Sequence, residues 1–249
     1  MTLIVHHLLV SQSERAVWLC EELGIDYELK IYPRCPIQPP PEYLRLYPLE
    51  LSPIIQDGHI TLAESAACME YITQIKGGGR FIIPPEHKDF ANYVYWFHFV
   101  NATFQPALMR CLTMKCINNA VNGVDPPAKG AFMKKQFIER LAAMLSQLDE
   151  RLAQTPWLSG EQFSLADIMV VYSLTTVRCF VPYHLTSYPN ILAYLKRVSA
   201  RDGYRRAKQK SDPEMDIALL IGTAPPTWQP AYHIINRQTT PATNGPNGR

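Results

Sequence analysis

The sequence has no marked excess of charge of either sign and no long apolar run. Its 24 lysines and arginines nearly balance its 22 aspartates and glutamates, which gives a formal net charge of +2. Nucleic-acid surfaces and polybasic membrane patches need clustered positive charge, so neither is indicated. No stretch approaches the roughly 20 apolar residues that span a bilayer, and the apolar start lacks the basic leader of a secretory signal. We therefore expect a cytoplasmic protein.

Paired cysteines are also missing. The six cysteines are Cys20, Cys35, Cys68, Cys111, Cys116 and Cys179. None of them forms a C-x-x-C pair, and their spacing suits neither a zinc cluster nor a redox dithiol. We expect free thiols in a reducing compartment, and no metal is implied.

The N-terminal third carries the pattern of a small α/β unit. Residues 3–9 form a short apolar run that predicts a buried strand, and residues 16–23 repeat as one apolar helix face. Gly24 is a natural stop for that helix. Residues 26–32 alternate between polar and apolar and predict a second strand, followed by a proline-rich loop over 33–41.

A hairpin and a second helix complete this unit. Asp57-Gly58 is a strong two-residue turn signal between the strand patterns 53–56 and 59–62. A helix then begins near Glu64-Ser65 and ends at the glycines 77–79. The order β-α-β, then β-β-α, suits a thioredoxin-like half.

The rest of the chain is predicted to be helical, and Pro189 suits the first position of its fourth helix, over 189–200. At 249 residues the chain is near the size at which one core splits into domains. We divide it into a thioredoxin-like domain, a linker, an all-helical domain and a C-terminal tail, over residues 1–78, 79–88, 89–212 and 213–249. Trp228 and Tyr232 offer apolar side chains with which the first half of the tail could pack on the body.

Two segments carry a family resemblance. The segment 11–24 (SQSERAVWLCEELG) resembles the glutathione-site turn and first helix of glutathione transferases, and 52–72 (SPIIQDGHITLAESAACMEYI) resembles their second half-site. The patterns Trp96-Phe97-His98-Phe99 and 163–167 (FSLAD) are similar to fungal members. The resemblance covers about residues 1–205. It implies the glutathione transferase fold, an α/β thioredoxin-like domain followed by a helical bundle.

The resemblance places the sulfur of glutathione at the serine turn. A thiol with a pKa of about 8.5 is little ionised at neutral pH, and the thiolate is the nucleophile. Ser11 is the first candidate for the hydroxyl that donates to this sulfur, and Ser13 is the second. His6 and His7 lie where tyrosine subgroups keep their tyrosine, so one of them could replace or assist the serine. The alternative role of Ser11 and Ser13 is to cap the first helix.

The second half-site is implied to hold the rest of glutathione. Pro53 should follow a cis peptide bond, which would leave the backbone of Ile54 to pair with the cysteinyl unit. Glu64 and Ser65 should meet the γ-glutamyl end, with a charge for its ammonium and a hydroxyl for its carboxylate. The alternatives are an edge-strand proline and a plain helix cap.

One position departs from the family. Members commonly carry Gly-Lys before Ser-Pro, and this lysine contacts the glycyl carboxylate. Here the two positions are Glu50 and Leu51, and an acidic side chain repels a nearby carboxylate. Arg15, Arg34 and Lys30 are candidates to replace the lysine; the alternative is that glutathione binds weakly.

The helix after residue 90 is expected to line the second substrate's pocket. The candidates share the spacing i, i+3, i+4, i+7 and mix apolar and polar groups, as ligand pockets do; they are Asn101, Phe104, Gln105 and Leu108. The alternative is that an aromatic stripe of this kind belongs to the core.

The resulting hypothesis is an enzyme that adds the glutathione thiolate to an apolar electrophile, plausibly in fungal secondary metabolism. A variant is a glutathione-dependent cis-trans isomerase that adds the thiol reversibly to a conjugated alkene. The other class is a non-catalytic binding or regulatory protein on the same fold. The resemblance also implies a homodimer.

Overall fold

The N-terminal half is built on a mixed sheet. The computed structural model describes residues 2–34, 39–49, 51–120 and 128–228, so Glu50, Cys35 and Tyr232 lie outside the described residues. In that part of the chain the strands are β1 (Leu3–Leu8), β2 (Tyr27–Tyr32), β3 (Ile54–Asp57) and β4 (Ile60–Ala63), in the order β2-β1-β3-β4. Strands β1 and β2 run parallel, and β3 is antiparallel to both of its neighbours. The predicted strands and the Asp57-Gly58 hairpin are confirmed.

The helices of this half begin beside the ends of the strands. Helix α1 (Glu14–Leu23) is buried along most of its length, and Gly24 ends it in the left-handed conformation, at a φ of 64°. That conformation has little steric cost for glycine because glycine lacks a Cβ. Helix α3 (Ser65–Tyr71) continues as a π-helical turn over Ile72–Lys76.

One short helix follows the segment that was predicted to be a loop. Helix α2 (Pro41–Leu44) begins with a proline, which is tolerated in a first turn because no intrahelical donor is needed there. Tyr43 anchors it: its side chain is buried and its hydroxyl donates to the Leu51 carbonyl at 3.1 Å. The prolines before it indicated a loop, so this helix was not predicted from the sequence.

The second half is helical, as predicted. In chain order its elements are α4 (Phe90–Phe99), a π-helical turn (Val100–Phe104), α5 (Gln105–Ala120), α6 (Ala128–Gln154), α7 (Leu165–Leu174), a 3-10 turn (Thr176–Cys179), α8 (Pro189–Ser199), α9 (Asp202–Ser211) and α10 (Ile217–Leu220). Pro189 opens α8, as predicted. None of the helices in the described ranges is long and apolar enough to cross a membrane.

Helix α7 runs through the centre of the core, and all of its residues are buried. It starts with a capping box in which the Ser164 N–H donates to Asp167 Oδ2 at 2.9 Å. Asp167 also accepts from the Leu158 N–H and the Tyr194 hydroxyl. Burial raises the pKa of Asp167 to about 6, against the lowering effect of these donors.

Helix α9 joins the two halves through charges. Its Lys208 forms a buried ion pair with Glu14 of α1, and its Arg206 and Lys210 reach Glu21 of α1. The last individual helix predicted from the sequence is 189–200, so α9 was not predicted. The consequence for the site is that Asp212, at the end of α9, comes to lie beside β1 and the turn that follows it.

Part of the predicted tail packs on the body. Arg178 is fully buried and donates to the carbonyls of Gly222 and Thr223 at 3.0 and 2.9 Å. Trp228 meets the Phe180 ring at 5.8 Å between centroids. The predicted packing of Trp228 is therefore confirmed, and the remaining tail from residue 229 lies outside the described residues.

Candidate active site

The serine turn lies between β1 and α1 and is closed by hydroxyl contacts. Val10 enters the turn in the left-handed region, at a φ of 53°. Ser11 Oγ lies 2.7 Å from Ser13 Oγ and accepts the Ser13 N–H at 3.2 Å. Ser13 occupies the N-cap position of α1 but makes no side-chain capping bond. The capping role considered for Ser13 is therefore not realised, and its hydroxyl is engaged with other groups.

The two half-sites of the sequence meet at Ser11. Its Oγ lies 2.9 Å from Ser52 Oγ, and the peptide bond from Ser52 to Pro53 is cis, as predicted. Ile54 directly follows and opens β3, with His6 and Ala63 as its cross-strand neighbours. The contact between Ser11 and Ser52 brings the serine turn and the turn at the cis peptide bond to the same end of the inner strands β1 and β3.

Behind Ser11 lies a second line of polar groups. Ser13 Oγ accepts the Leu8 N–H at 3.1 Å and lies 2.9 Å from His7 Nδ1. The other ring nitrogen of His7 lies 3.3 Å from Asp212 Oδ1, a distance that suits an ion pair, although the contact does not have the alignment of a hydrogen bond. Ser13, His7 and Asp212 are all buried.

His6 is directed away from this line. Successive residues of a strand point to opposite faces of the sheet, and the His6 ring contacts the Tyr32 hydroxyl at 2.9 Å and Gln56 Oε1 at 3.0 Å. Burial lowers the pKa of His6, more than its hydrogen bond with Gln56 raises it. Of the two histidines proposed from the sequence, the structure brings only His7 to the serine turn.

Ser65 is the centre of a second cluster. It is the first residue of α3, is buried, and accepts from Arg15 Nη1 at 3.0 Å and from Asn101 Nδ2 at 3.1 Å. Arg15 comes from α1 and Asn101 from the π-helical turn after α4. The cluster therefore joins both halves of the protein at the start of α3.

Arg15 is fully buried among neutral partners. Its guanidinium donates to Gln12 Oε1, Gln105 Oε1 and the Met169 carbonyl at 2.8–3.0 Å and lies over the Tyr172 ring. None of these partners is a carboxylate. Burial lowers the pKa of Arg15 to about 10 because the charged form loses its hydration. Arg15 was a candidate for the glycyl end of glutathione, and its contacts place it instead at Ser65.

Glu64 precedes Ser65 in an uncommon backbone conformation. Its φ is 71° and its side chain is exposed and makes no capping bond to α3. A positive φ is unusual for a residue with a long side chain. The Glu64 carboxylate is therefore exposed to solvent, one residue before the buried hydroxyl of Ser65.

The four candidates for the second substrate's pocket separate into two pairs. Phe104 and Leu108 are fully buried in the main core, where Phe104 stacks on Phe99. Asn101 and Gln105 contact Ser65 and Arg15 instead. For the apolar pair the structure agrees with the alternative, a core stripe. The sequence assigned all four to one surface because it does not show which neighbour each side chain meets.

The position at which the family keeps its lysine is Leu51 here and carries no positive charge. Leu51 is apolar and half-buried, and Glu50 lies outside the described residues. Lys30 lies on β2 at 3.6 Å from Glu28, and both side chains are largely exposed. Arg34 donates to the Leu9 carbonyl at 2.8 Å, close behind the serine turn. Of Arg34 and Lys30, Arg34 is therefore the candidate that contacts a residue next to the serine turn.

The thiols of Cys20, Cys68, Cys111 and Cys179 are poor nucleophiles, because burial raises the pKa of each of them. Burial raises the pKa of Cys68 and of Cys179 to about 12, and raises that of Cys20 further. A thiol with such a pKa is not ionised at neutral pH. The hydroxyl line at Ser11 and the cluster at Ser65 are thus the sites with usable chemistry.

Comparison with known proteins decides the family. Residues 11–75 match the model of the glutathione S-transferase N-terminal domain, and residues 102–202 match that of the C-terminal domain. Glutathione S-transferase 3 of Schizosaccharomyces pombe is 31% identical over 84% of this chain and 87% of its own length. The chain belongs to the glutathione S-transferase family.

Solved structures agree with this assignment. A glutathione S-transferase from Actinobacillus pleuropneumoniae superposes with a TM-score of 0.73 at 28% identity, over 85% of this chain and 93% of its own. A sphingomonad glutathione S-transferase complexed with glutathione shares the fold, with a TM-score of 0.66 at 20% identity over 83% and 98% of the two chains. The chain is an enzyme of the glutathione transferase type, with glutathione as its thiol substrate. The alternative of a non-catalytic protein is thereby set aside.

Proposed function

We propose that glutathione lies across the end of the sheet, from Ser11 to Ser65, with its sulfur at the Ser11 hydroxyl. The observation that carries this proposal is the contact of Ser11 with Ser52 beside the cis bond to Pro53. That contact places a hydroxyl next to the strand end where an extended peptide can pair. A hydroxyl that donates to sulfur favours the thiolate.

The γ-glutamyl end is assigned to Ser65, Arg15 and Glu64. The Ser65 hydroxyl and the Arg15 guanidinium lie 3.0 Å apart and together suit a carboxylate, because hydrogen bonds to charged groups are the strong ones. The exposed Glu64 carboxylate suits the ammonium group of the same amino acid. Asn101 orients the Ser65 hydroxyl from the helical half.

The cysteinyl unit is assigned to the backbone of Ile54. Ile54 is the first residue of β3 and directly follows the cis-bonded Pro53, and this position supports the assignment. With the γ-glutamyl end at Ser65 and the cysteinyl backbone at Ile54, the thiol is directed towards Ser11. This order of contacts supports Ser11, rather than Ser13, as the sulfur contact, since Ser13 is enclosed behind Ser11.

The reaction is proposed to be addition of the thiolate to an apolar electrophile, with proximity of the two bound partners as the main source of rate. A reversible form of the same addition would isomerise a conjugated alkene. The two are separated by following glutathione: conjugation consumes it in proportion to product, and isomerisation leaves its concentration unchanged. A role in fungal secondary metabolism, a cytoplasmic location and a homodimer remain proposals. Sedimentation showing a monomer at micromolar concentration would refute the dimer.

Calorimetric titration tests the binding site. Glutathione is titrated into the wild type, Ser65→Ala and the control Ser173→Ala, which removes another buried serine hydroxyl. We expect Ser65→Ala to weaken binding about tenfold, since a hydrogen bond to a charged group contributes about 1.5 kcal/mol or more. Unchanged affinity in Ser65→Ala, or no binding by the wild type at millimolar glutathione, would refute the assignment.

A further inference from the structure

A continuous line of polar contacts runs inward from Ser11. Ser11 Oγ lies 2.7 Å from Ser13 Oγ, Ser13 Oγ lies 2.9 Å from His7 Nδ1, and His7 Nε2 lies 3.3 Å from Asp212 Oδ1. The line joins the serine turn to the end of α9. The proposed contact with the sulfur involves only Ser11. It gives no role to Ser13, His7 or Asp212.

The contacts of Ser13 restrict the direction of the hydrogen bonds. A hydroxyl has one hydrogen and two acceptor lone pairs. The Leu8 N–H occupies one lone pair of Ser13 Oγ. The single Ser13 hydrogen can go to Ser11, to His7 or, at a longer 3.4 Å, to the Leu8 carbonyl. When it goes to Ser11 or His7, the other of these two can donate to the remaining lone pair of Ser13 Oγ. The hydroxyls can therefore donate inward, with His7 as the last acceptor, or outward, towards Ser11.

The position of Asp212 determines which ring nitrogen of His7 carries a hydrogen. Burial opposes ionisation of this carboxyl, but Lys208 and the Val10 N–H, together with the His7 ring when it is charged, outweigh burial and lower the pKa of Asp212. An ionised carboxylate only accepts hydrogen bonds. Because Nε2 lies 3.3 Å from this carboxylate, the ring hydrogen is assigned to Nε2, and Nδ1, 2.9 Å from Ser13 Oγ, is left as the acceptor.

We propose that His7, held by Asp212, takes the thiol proton of glutathione through Ser13 and Ser11. The proposal rests on the proposed contact between Ser11 and sulfur. His7 and Asp212 are positioning residues in this account, since neither touches the substrate, and Ser13 connects them to the Ser11 hydroxyl.

The proton transfer balances without any further reactant. The thiol takes the place of the Ser52 hydroxyl at Ser11 Oγ, while the other lone pair of Ser11 Oγ accepts the Ser13 N–H. The S–H bond breaks and its proton binds Ser11 Oγ, the Ser11 hydrogen moves to Ser13 Oγ, and the Ser13 hydrogen moves to His7 Nδ1. The products are a thiolate and an imidazolium paired with Asp212. The hydroxyl line now runs outward, so the Ser11 hydroxyl donates to the sulfur. Addition of the thiolate to an alkene leaves a carbanion that takes the proton back along the same line.

The surroundings supply charges of both signs. Lys208 of α9 faces Asp212 and is neutralised by its buried ion pair with Glu14 of α1. Arg34, after β2, also feels the charge of Asp212, and its guanidinium holds the Leu9 carbonyl. Tyr204 of α9 and Cys179 of the 3-10 turn are further titratable groups near Asp212. Asp212 is therefore the carboxylate that faces the His7 ring directly.

The test is a pH titration of the thiolate of bound glutathione by its ultraviolet absorbance. Asp212→Asn removes the charge and can still accept the Val10 N–H, which donates to Oδ1 at 2.7 Å. His7→Gln removes the base, and His6→Gln is the matched control on the opposite face of the same strand. We expect the two inner variants to raise the bound thiol's pKa by about one unit, a tenfold loss of thiolate below that pKa. The control should leave it unchanged.

Binding of S-methylglutathione, which has no thiol proton, separates this proposal from the site assignment. We expect all three variants to bind it within about threefold of the wild type. An unchanged thiol pKa in Asp212→Asn or His7→Gln overturns the relay but leaves the site intact. Failure of the wild type to bind S-methylglutathione overturns the site assignment itself.

A wild-type measurement covers the case in which these variants do not fold. Heteronuclear NMR of the imidazole nitrogens reports the protonation of His7 directly. We expect His7 to become an imidazolium when glutathione binds and to stay neutral with S-methylglutathione. The same protonation state with both ligands would overturn the relay.

Discussion

The Arg15 guanidinium lies 3.0 Å from the Ser65 hydroxyl, inside the protein and beside the first turn of α3. Burial of a charge is unfavourable unless it is paired. The Arg15 guanidinium donates to amide, carbonyl and hydroxyl oxygens, and burial lowers its pKa to about 10. The carboxylate of a bound γ-glutamyl group would supply the missing negative charge.

Replacement of Arg15 by Met should therefore weaken glutathione binding. We expect a loss of about tenfold to a hundredfold, since hydrogen bonds to charged groups contribute about 1.5–3 kcal/mol. Arg15→Lys keeps the charge but loses the planar fork, so its affinity should fall between the two. Calorimetry measures all three proteins, and equal affinities would remove Arg15 from the binding site.

Asp167 should be the most important single polar group for the stability of α7. Asp167→Ala leaves the N–H groups of Leu158 and Ser164 without their acceptor, inside the core. We expect a loss of about 3 kcal/mol in the free energy of unfolding, from an unsatisfied buried donor plus a lost cap. The control Asp216→Ala removes the exposed cap of α10, which accepts the Ala218 N–H, and should cost about 1 kcal/mol or less. Denaturant unfolding measures both, and equal losses would contradict the account.

Acid should destabilise the protein partly through Asp212. Its pKa in the folded state is lowered from 3.8, against the effect of burial, by His7 and Lys208. A carboxyl with a lowered folded pKa contributes stability above its unfolded pKa and loses it as the pH falls towards the folded value. The free energy of unfolding should therefore fall more steeply below pH 3.8 in the wild type than in Asp212→Asn. Denaturant unfolding over that range checks this, with the exposed-site variant Asp202→Asn expected to follow the wild type.

Local sequence patterns predicted most of the fold. The apolar run of β1, the stop at Gly24 and the Asp57-Gly58 turn depend on neighbours within a few positions, and the structure has all three. Helix α9 was missed because its buried face carries Lys208 and few large apolar side chains, and its partners are acidic groups of α1. Periodicity of apolar residues does not report such a helix.

The candidate site was predictable only in part, for a related reason. Ser11, Pro53 and Ser65 stand in motifs that the sequence displays. Arg15 and Asp212 act through partners that are distant in the chain: Arg15 meets Met169, 154 positions away, and Asp212 meets Val10, 202 positions away. The sequence alone gives no sign of these contacts, since neither residue stands in a motif with its partner.

The central claim is that the Ser11 hydroxyl donates to the sulfur of bound glutathione. The most direct test is the pKa of the bound thiol in the wild type and in Ser11→Ala, at glutathione concentrations that saturate both proteins. The account predicts a bound thiol pKa below the free value of about 8.5 in the wild type and a rise of about one unit in Ser11→Ala. The same pKa in both proteins would contradict it.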